Sequence, residues 1–178
     1  RFLGDIEDVS YELLLSRLAE TDLGRRFRLR WAGLGAFPRA TRATVLWLGL
    51  DRGEDALSAL ATTVDVAVDG AGFPPEDRPF NPHLTLSRLR PAEDVSVLVT
   101  STPPFAIPME VDRVTVYQSR LGSGGAAYRV LEEFPLPGEK RRGTIVGERT
   151  GRRFGGSLEL CVFLGLQLLL REIRTLVV

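Results

Sequence analysis

The sequence of 178 residues predicts an α+β protein built on antiparallel sheets with helices on their outer faces. Three observations carry that expectation. Strand-like runs fall at residues 26–31, 44–50, 82–89, 111–117 and 128–134, while helical spacing of apolar residues is confined to about 9–21, 54–68 and 93–100. The resulting order is strand end, helix, strand, strand, helix, strand, helix, strand, strand. That is not a regular β-α-β alternation, so a doubly wound parallel sheet is not expected.

Each element has a local reason. Leu13, Leu14, Leu15 and Leu18 make residues 9–21 a helix, with Ser10 or Asp8 as its N-cap. Residues 26–31 alternate, so Phe27, Leu29 and Trp31 point inward and Arg26, Arg28 and Arg30 outward. Residues 33–38 (Gly-Leu-Gly-Ala-Phe-Pro) read as a loop. Residues 44–50 are β-rich and apolar, a central strand, and Asp51, Arg52 and Gly53 turn the chain. Leu57, Leu60, Ala61, Val64 and Val68 recur at helical intervals. Residues 70–80 form a Gly/Pro loop. In residues 82–89, Leu84, Leu86 and Leu89 take one side of a strand, and His83, Thr85 and Ser87 the other. The last two strands are joined by a glycine loop at 121–125.

Composition narrows the function. Lys+Arg and Asp+Glu both number 23, so the net charge is zero and no global positive field points to nucleic acid. One Cys, Cys161, excludes an intramolecular disulfide and a multi-cysteine zinc site. The single His, His83, excludes a His-rich metal site and obliges any Ser-His-Asp triad to run through it. Charge divides near Pro137. Residues 1–137 hold 15 Arg against 19 acids, whereas 138–178 hold 7 Arg and 1 Lys against 4 acids. The tail begins Gly- and Arg-rich and then turns apolar over 160–170, far short of the about 20 residues a spanning helix needs. No stable membrane insertion is expected, and with no signal-peptide pattern at residue 1 the expected location is cytoplasmic.

The chemistry concentrates at His83, Leu84, Thr85 and Leu86. In a strand, positions i and i+2 point the same way, so His83 and Thr85 meet one ligand from one surface. An imidazole gives or takes a proton near neutral pH. A threonine hydroxyl donates to an anionic oxygen. Arg88 lies five residues from His83, on the wrong side of an ideal pleat, and a bulge or strand end would bring its guanidinium back. The three read as a phosphate site with an acid/base beside it. The triplet by itself also fits a satisfied strand histidine.

Residues 78–88 (Arg-Pro-Phe-Asn-Pro-His-Leu-Thr-Leu-Ser-Arg) resemble the second His-x-Thr-x signature of the two-histidine phosphoesterases, most closely their bacterial RNA 2′,3′-cyclic phosphodiesterase, or 2′-5′ RNA ligase, branch. Four further segments agree in order and spacing: 1–5, 33–38, 45–50, and 117–121 followed by Gly125. The similarity covers residues 1 to about 136. It implies a two-lobed, pseudo-symmetric antiparallel-sheet fold, each lobe giving one His-x-Thr-x strand. In that pattern the first motif, with a strand and a helix before it, falls ahead of Arg1, so the expectation is an N-terminally truncated domain over 1–137 with impaired activity. The tail 138–178 is expected to lie outside the family pattern.

The resemblance implies hydrolysis of RNA 2′,3′-cyclic phosphate ends to 2′-phosphomonoesters, with joining of 2′-5′ RNA ends as the related reaction. It makes His83 the proton acceptor and Thr85 a holder of a non-bridging oxygen, and it requires no metal and no cofactor. The implied partner is an RNA or nucleotide with a cyclic phosphate end, met by a monomer. Arg88, Phe37, Tyr117 and Arg120 are the substrate-binding candidates: Arg88 toward the anion, Phe37 by stacking on a base unless residues 33–38 are only a structural corner, and Tyr117 and Arg120, with Ser119, by ending a strand beside the glycine loop at the border of the site or merely as a strand end. Arg26, Arg28 and Arg30 offer a face for an RNA backbone or merely a solvated strand. The alternative is a non-catalytic RNA- or nucleotide-binding remnant that keeps the anion site without the acid.

Overall fold

A computed structural model of the chain describes residues 1–122, 125–138 and 158–164. It has two compact units. The first comprises Arg1–Arg26, Thr63–Glu76 and Val111–Val178, the second Phe27–Thr62 and Asp77–Glu110. Each holds a four-stranded sheet, and the strand pairings whose registers are described below are antiparallel. The expected α+β class is therefore realised.

In the second unit the strands are β2 (Phe27–Phe37), β3 (Ala43–Arg52), β4 (Leu84–Glu93) and β5 (Ile107–Val111), in the order β4-β3-β2-β5. Strand β3 is central, as its apolar run predicts. Leu29 and Trp31 are buried on β2 and Leu48 on β3, joined by Leu57, Leu60 and Ala61 of helix α2 (Glu54–Gly70). Gly53 turns the chain into α2 at φ +86°, where a Cβ would lie 2.8 Å from the Arg28 carbonyl oxygen. Only glycine meets both demands.

The first unit contains β1 (Phe2–Ile6), α1 (Asp8–Glu20), β6 (Arg113–Gly122), β7 (Gly125–Pro135) and β8 (Leu158–Leu164), in the sheet order β1-β8-β6-β7. Tyr11, Leu14 and Leu18 are the buried stripe of α1, and Val64, Ala67 and Val68 of α2 are buried in the same unit. The Arg1 side chain, 5% exposed, pairs with Asp65 at 3.1 Å. A short helix, α3 (Ser96–Ser101), and a single 3₁₀ turn (Ala40–Arg42) belong to the second unit.

Several expectations need correction. Helix α1 begins one residue earlier, with Glu7 as its N-cap and no side-chain cap; neither Ser10 nor Asp8 takes that role. Asp8 sits in the first turn instead, where a carboxylate suits the positive end of the helix dipole. Residues 33–37 are not a loop: they continue β2. Gly33, at φ +72°, is the extra residue where the register moves from Ala32↔Gly49 to Leu34↔Leu48, so a glycine that reads as a loop signal serves a bulge. Asp51 and Arg52 belong to β3, and Gly53 alone makes the turn. The arginine face is divided too. Arg30 is held by Asp51, Nε to Oδ1 at 2.8 Å and Nη2 to Oδ2 at 2.7 Å, and Arg26 precedes β2, its amide donating to the Pro137 carbonyl. Within the tail, residues 158–164 form β8, hydrogen-bonded between β1 and β6. The expectation for the Cys161 thiol concerns a side chain outside the described residues.

Candidate active site

The sheet of the second unit brings three of the predicted site residues to one face. Its register fixes which ones. Thr85 pairs with Trp47 and Arg88 with Val45 across β4 and β3. Trp47 pairs with Gly35 and Val45 with Phe37 across β3 and β2. Directly paired residues share a face, and so do Val45 and Trp47, two apart on β3. Phe37, Trp47, Thr85 and Arg88 therefore stand on the same side. Leu84, paired with Leu48, turns the other way, and both are 4% exposed in the core.

Arg88 reaches this face through a bulge. Leu46 pairs with Ser87 while the next residue, Trp47, pairs with Thr85, leaving Leu86 as the additional residue on β4. The bulge reverses the pleat beyond it. It also overturns the expectation that Ser87 shares the face of His83 and Thr85: Ser87 pairs with Leu46, on the opposite side.

His83 itself precedes the ladder, since β4 starts at Leu84. Its neighbours Pro82 and Leu84 are buried, whereas His83 is exposed. The ring stands edge-on to Phe37 at 5.3 Å between centroids and to Trp47 at 6.2 Å. Phe37 and Trp47 are stacked at 5.1 Å. His83 Nδ1 donates to the Asn81 carbonyl oxygen at 2.7 Å. A carbonyl only accepts, so this bond holds the proton on Nδ1 and leaves the Nε2 lone pair as the basic position of the neutral ring.

The hydroxyl of half-buried Thr85 and the guanidinium of exposed Arg88 have no protein partner among the described residues. A base, a hydroxyl donor and a cation thus share one face beside two aromatic rings. That set can bind an anionic oxygen and accept a proton next to it. Trp47 was not among the predicted site residues. Its signal was a lone indole within the apolar run of β3, opposite a glycine: a Cβ on Gly35 would overlap Cζ2 and Cη2 of the indole, which lies across β2.

Tyr117 and Arg120 belong to the first unit, on β6. Arg120 is exposed. Tyr117 is buried edge-on to Tyr128, and burial raises its phenol pKa above the ordinary value.

Known proteins agree with this class of phosphate-handling α+β fold. The profile of the LigT like Phosphoesterase family matches residues 48–128. An RNA 2′,3′-cyclic phosphodiesterase of Aeropyrum pernix is 33% identical over 137 residues, covering 75% of this chain and 77% of that protein. One from Aquifex aeolicus is 31% identical over 143 residues, covering 78% and 76%. Among solved structures, Escherichia coli LigT complexed with 3′-AMP superposes with a TM-score of 0.62 at 26% identity, over 76% of this chain and 74% of that one. A Thermus thermophilus protein does so with a TM-score of 0.58 at 30% identity, over 78% and 76%. The chain is a member of the LigT-like, two-histidine phosphoesterases. Within them it belongs to the family whose curated relatives are RNA 2′,3′-cyclic phosphodiesterases.

Proposed function

We propose that this chain is an RNA 2′,3′-cyclic phosphodiesterase that opens the ring to a 2′-phosphomonoester. The observation that carries the reading is that Thr85 and Arg88 share a face with Phe37 and Trp47, whose rings the His83 imidazole meets edge-on with its proton on Nδ1. His83 Nε2 takes a proton from water as the water oxygen bonds to phosphorus. The P–O3′ bond breaks in line with that attack, and O3′ takes a proton from an acid on the far side. One imidazole cannot serve both sides at once. The resemblance assigns the acid to the histidine of the first His-x-Thr-x motif, ahead of Arg1. The Thr85 hydroxyl and Arg88 guanidinium hold the non-bridging oxygens. Phe37 offers a ring to the terminal base. No metal or cofactor enters the scheme.

The same ring opening, with an RNA 5′-hydroxyl in place of water, forms the P–O5′ bond as P–O3′ breaks and so joins 2′-5′ RNA ends. The phosphoesterase domain is residues 1–137, acting as a cytoplasmic monomer, with 138–178 an addition to the family pattern. Among the described residues no helix is long and apolar enough to cross a membrane. The test is a short RNA with a 2′,3′-cyclic end, incubated with the chain and with a version carrying the residues encoded upstream of Arg1, the product read by phosphorus NMR. A 2′-phosphate that His83→Ala no longer produces is expected. A 3′-phosphate, or turnover indifferent to His83→Ala, overturns the reading.

A further inference from the structure

We infer that Trp47 is a positioning residue for the imidazole of His83, and that Gly35 is glycine to admit it. The inference rests on the phosphodiesterase reading for its kinetic consequence only. His83 and Asn81 both lie before β4, outside the ladder. The hydrogen bond between them spans two residues of the same irregular segment. It sets the tautomer but cannot by itself fix where the ring stands against Thr85 and Arg88. Among the described residues, the ring contacts that tie the imidazole to the sheet are those with Phe37 and Trp47.

Those two contacts are one device. Phe37 ends β2, next to the Pro38 that leaves the strand, and the ring stacked against it is Trp47, on the central strand. Trp47 is also the direct cross-strand partner of Thr85. One rigid side chain therefore refers the base, through Phe37 and by its own edge contact, to the strand position of the hydroxyl. The indole can lie there because Gly35, its partner on β2, has no side chain to obstruct it. Glycine is otherwise a poor strand residue, and close approach of another group is the usual reason for one.

Misplacing a catalytic group by about 1 Å costs up to roughly 100-fold in rate. Trp47→Leu removes the stacking partner, and Gly35→Ala displaces the indole while keeping it. Both are expected to lower kcat about 10- to 100-fold on the cyclic-ended RNA with KM within about twofold. Trp47→Phe, which keeps a flat ring, recovers most of kcat. A second readout needs no activity. His83 is the only histidine, so its ring protons are unambiguous in NMR, and their cross-relaxation with the Phe37 ring reports the edge contact. That signal should be present in the wild type and lost in both variants. Its persistence in the two variants, or a KM effect with kcat unchanged, overturns the positioning role. If the contact is seen but neither the chain nor the version extended ahead of Arg1 turns over cyclic phosphate, the phosphodiesterase reading fails while NMR still decides the positioning.

Discussion

Replacing Ser87 and Arg88 by alanine, one at a time, tests the bulge in β4 as a functional feature. In a regular pleat Ser87 would share the face of Thr85, and Arg88 would turn away. The observed register does the reverse, pairing Ser87 with Leu46 and Arg88 with Val45. A hydrogen bond from a charged donor contributes about 1.5–3 kcal/mol, and 1.4 kcal/mol is tenfold in rate or affinity, so losing the guanidinium should cost about 10- to 150-fold. Arg88 is exposed, which places the expectation near the lower end and makes it shrink as salt rises. Ser87→Ala should stay within about twofold of wild type, the ordinary result for an exposed position away from the reacting groups. The assay is kcat/KM on a cyclic-ended RNA at two salt concentrations. A larger loss in Ser87→Ala than in Arg88→Ala would show that the reacting face follows a regular pleat, and the assignment of Arg88 to the phosphate would be refuted. Arg88→Lys refines the result: it keeps the charge but not the planar fork, and should recover only part of the loss.

Other consequences are equally direct. His83→Ala should lower kcat about 10²–10⁴-fold, and a variant retaining more than a tenth of wild-type turnover would remove His83 from the proton transfer. Leu14 is fully buried on α1, so Leu14→Ala should cost about 2–5 kcal/mol in urea unfolding at neutral pH, and a cost near zero would contradict its place in the core. Hydrogen bonding to Arg30 holds the Asp51 carboxyl below its ordinary value. A lowered carboxylate pKa gives stability that is present above the unfolded value and lost as pH falls through the folded one. Asp51→Asn should therefore narrow the stability gap between about pH 7 and about pH 3, and a wider gap would reverse the assigned sign.

What the sequence discloses and what it conceals follow the range of the forces involved. Leu14 and Leu18 of α1, and Leu57, Leu60, Val64 and Val68 of α2, recur at helical spacing and are buried, because helix periodicity is a local property of the chain. The apolar run of β3 likewise foretells its central position. Register is not local. Whether Arg88 faces Thr85 depends on one extra residue in β4 measured against β3, and no spacing within β4 reveals it. The glycines of 33–37 mislead for the same reason. Alone they read as a flexible connection. Opposite β3, Gly33 is a bulge and Gly35 is the space that Trp47 occupies. The site is thus half legible. The residues able to hold a phosphate and move a proton stand in the text at 83, 85 and 88, with Phe37 as a candidate ring, while the part of Trp47 depends on strand pairing. Trp47 escapes a reading of motifs because its chemistry is inert, and it matters through what it touches. A glycine facing a lone tryptophan across two strands is the kind of pair that only a cross-strand comparison can find, and in this chain it lies against the single histidine.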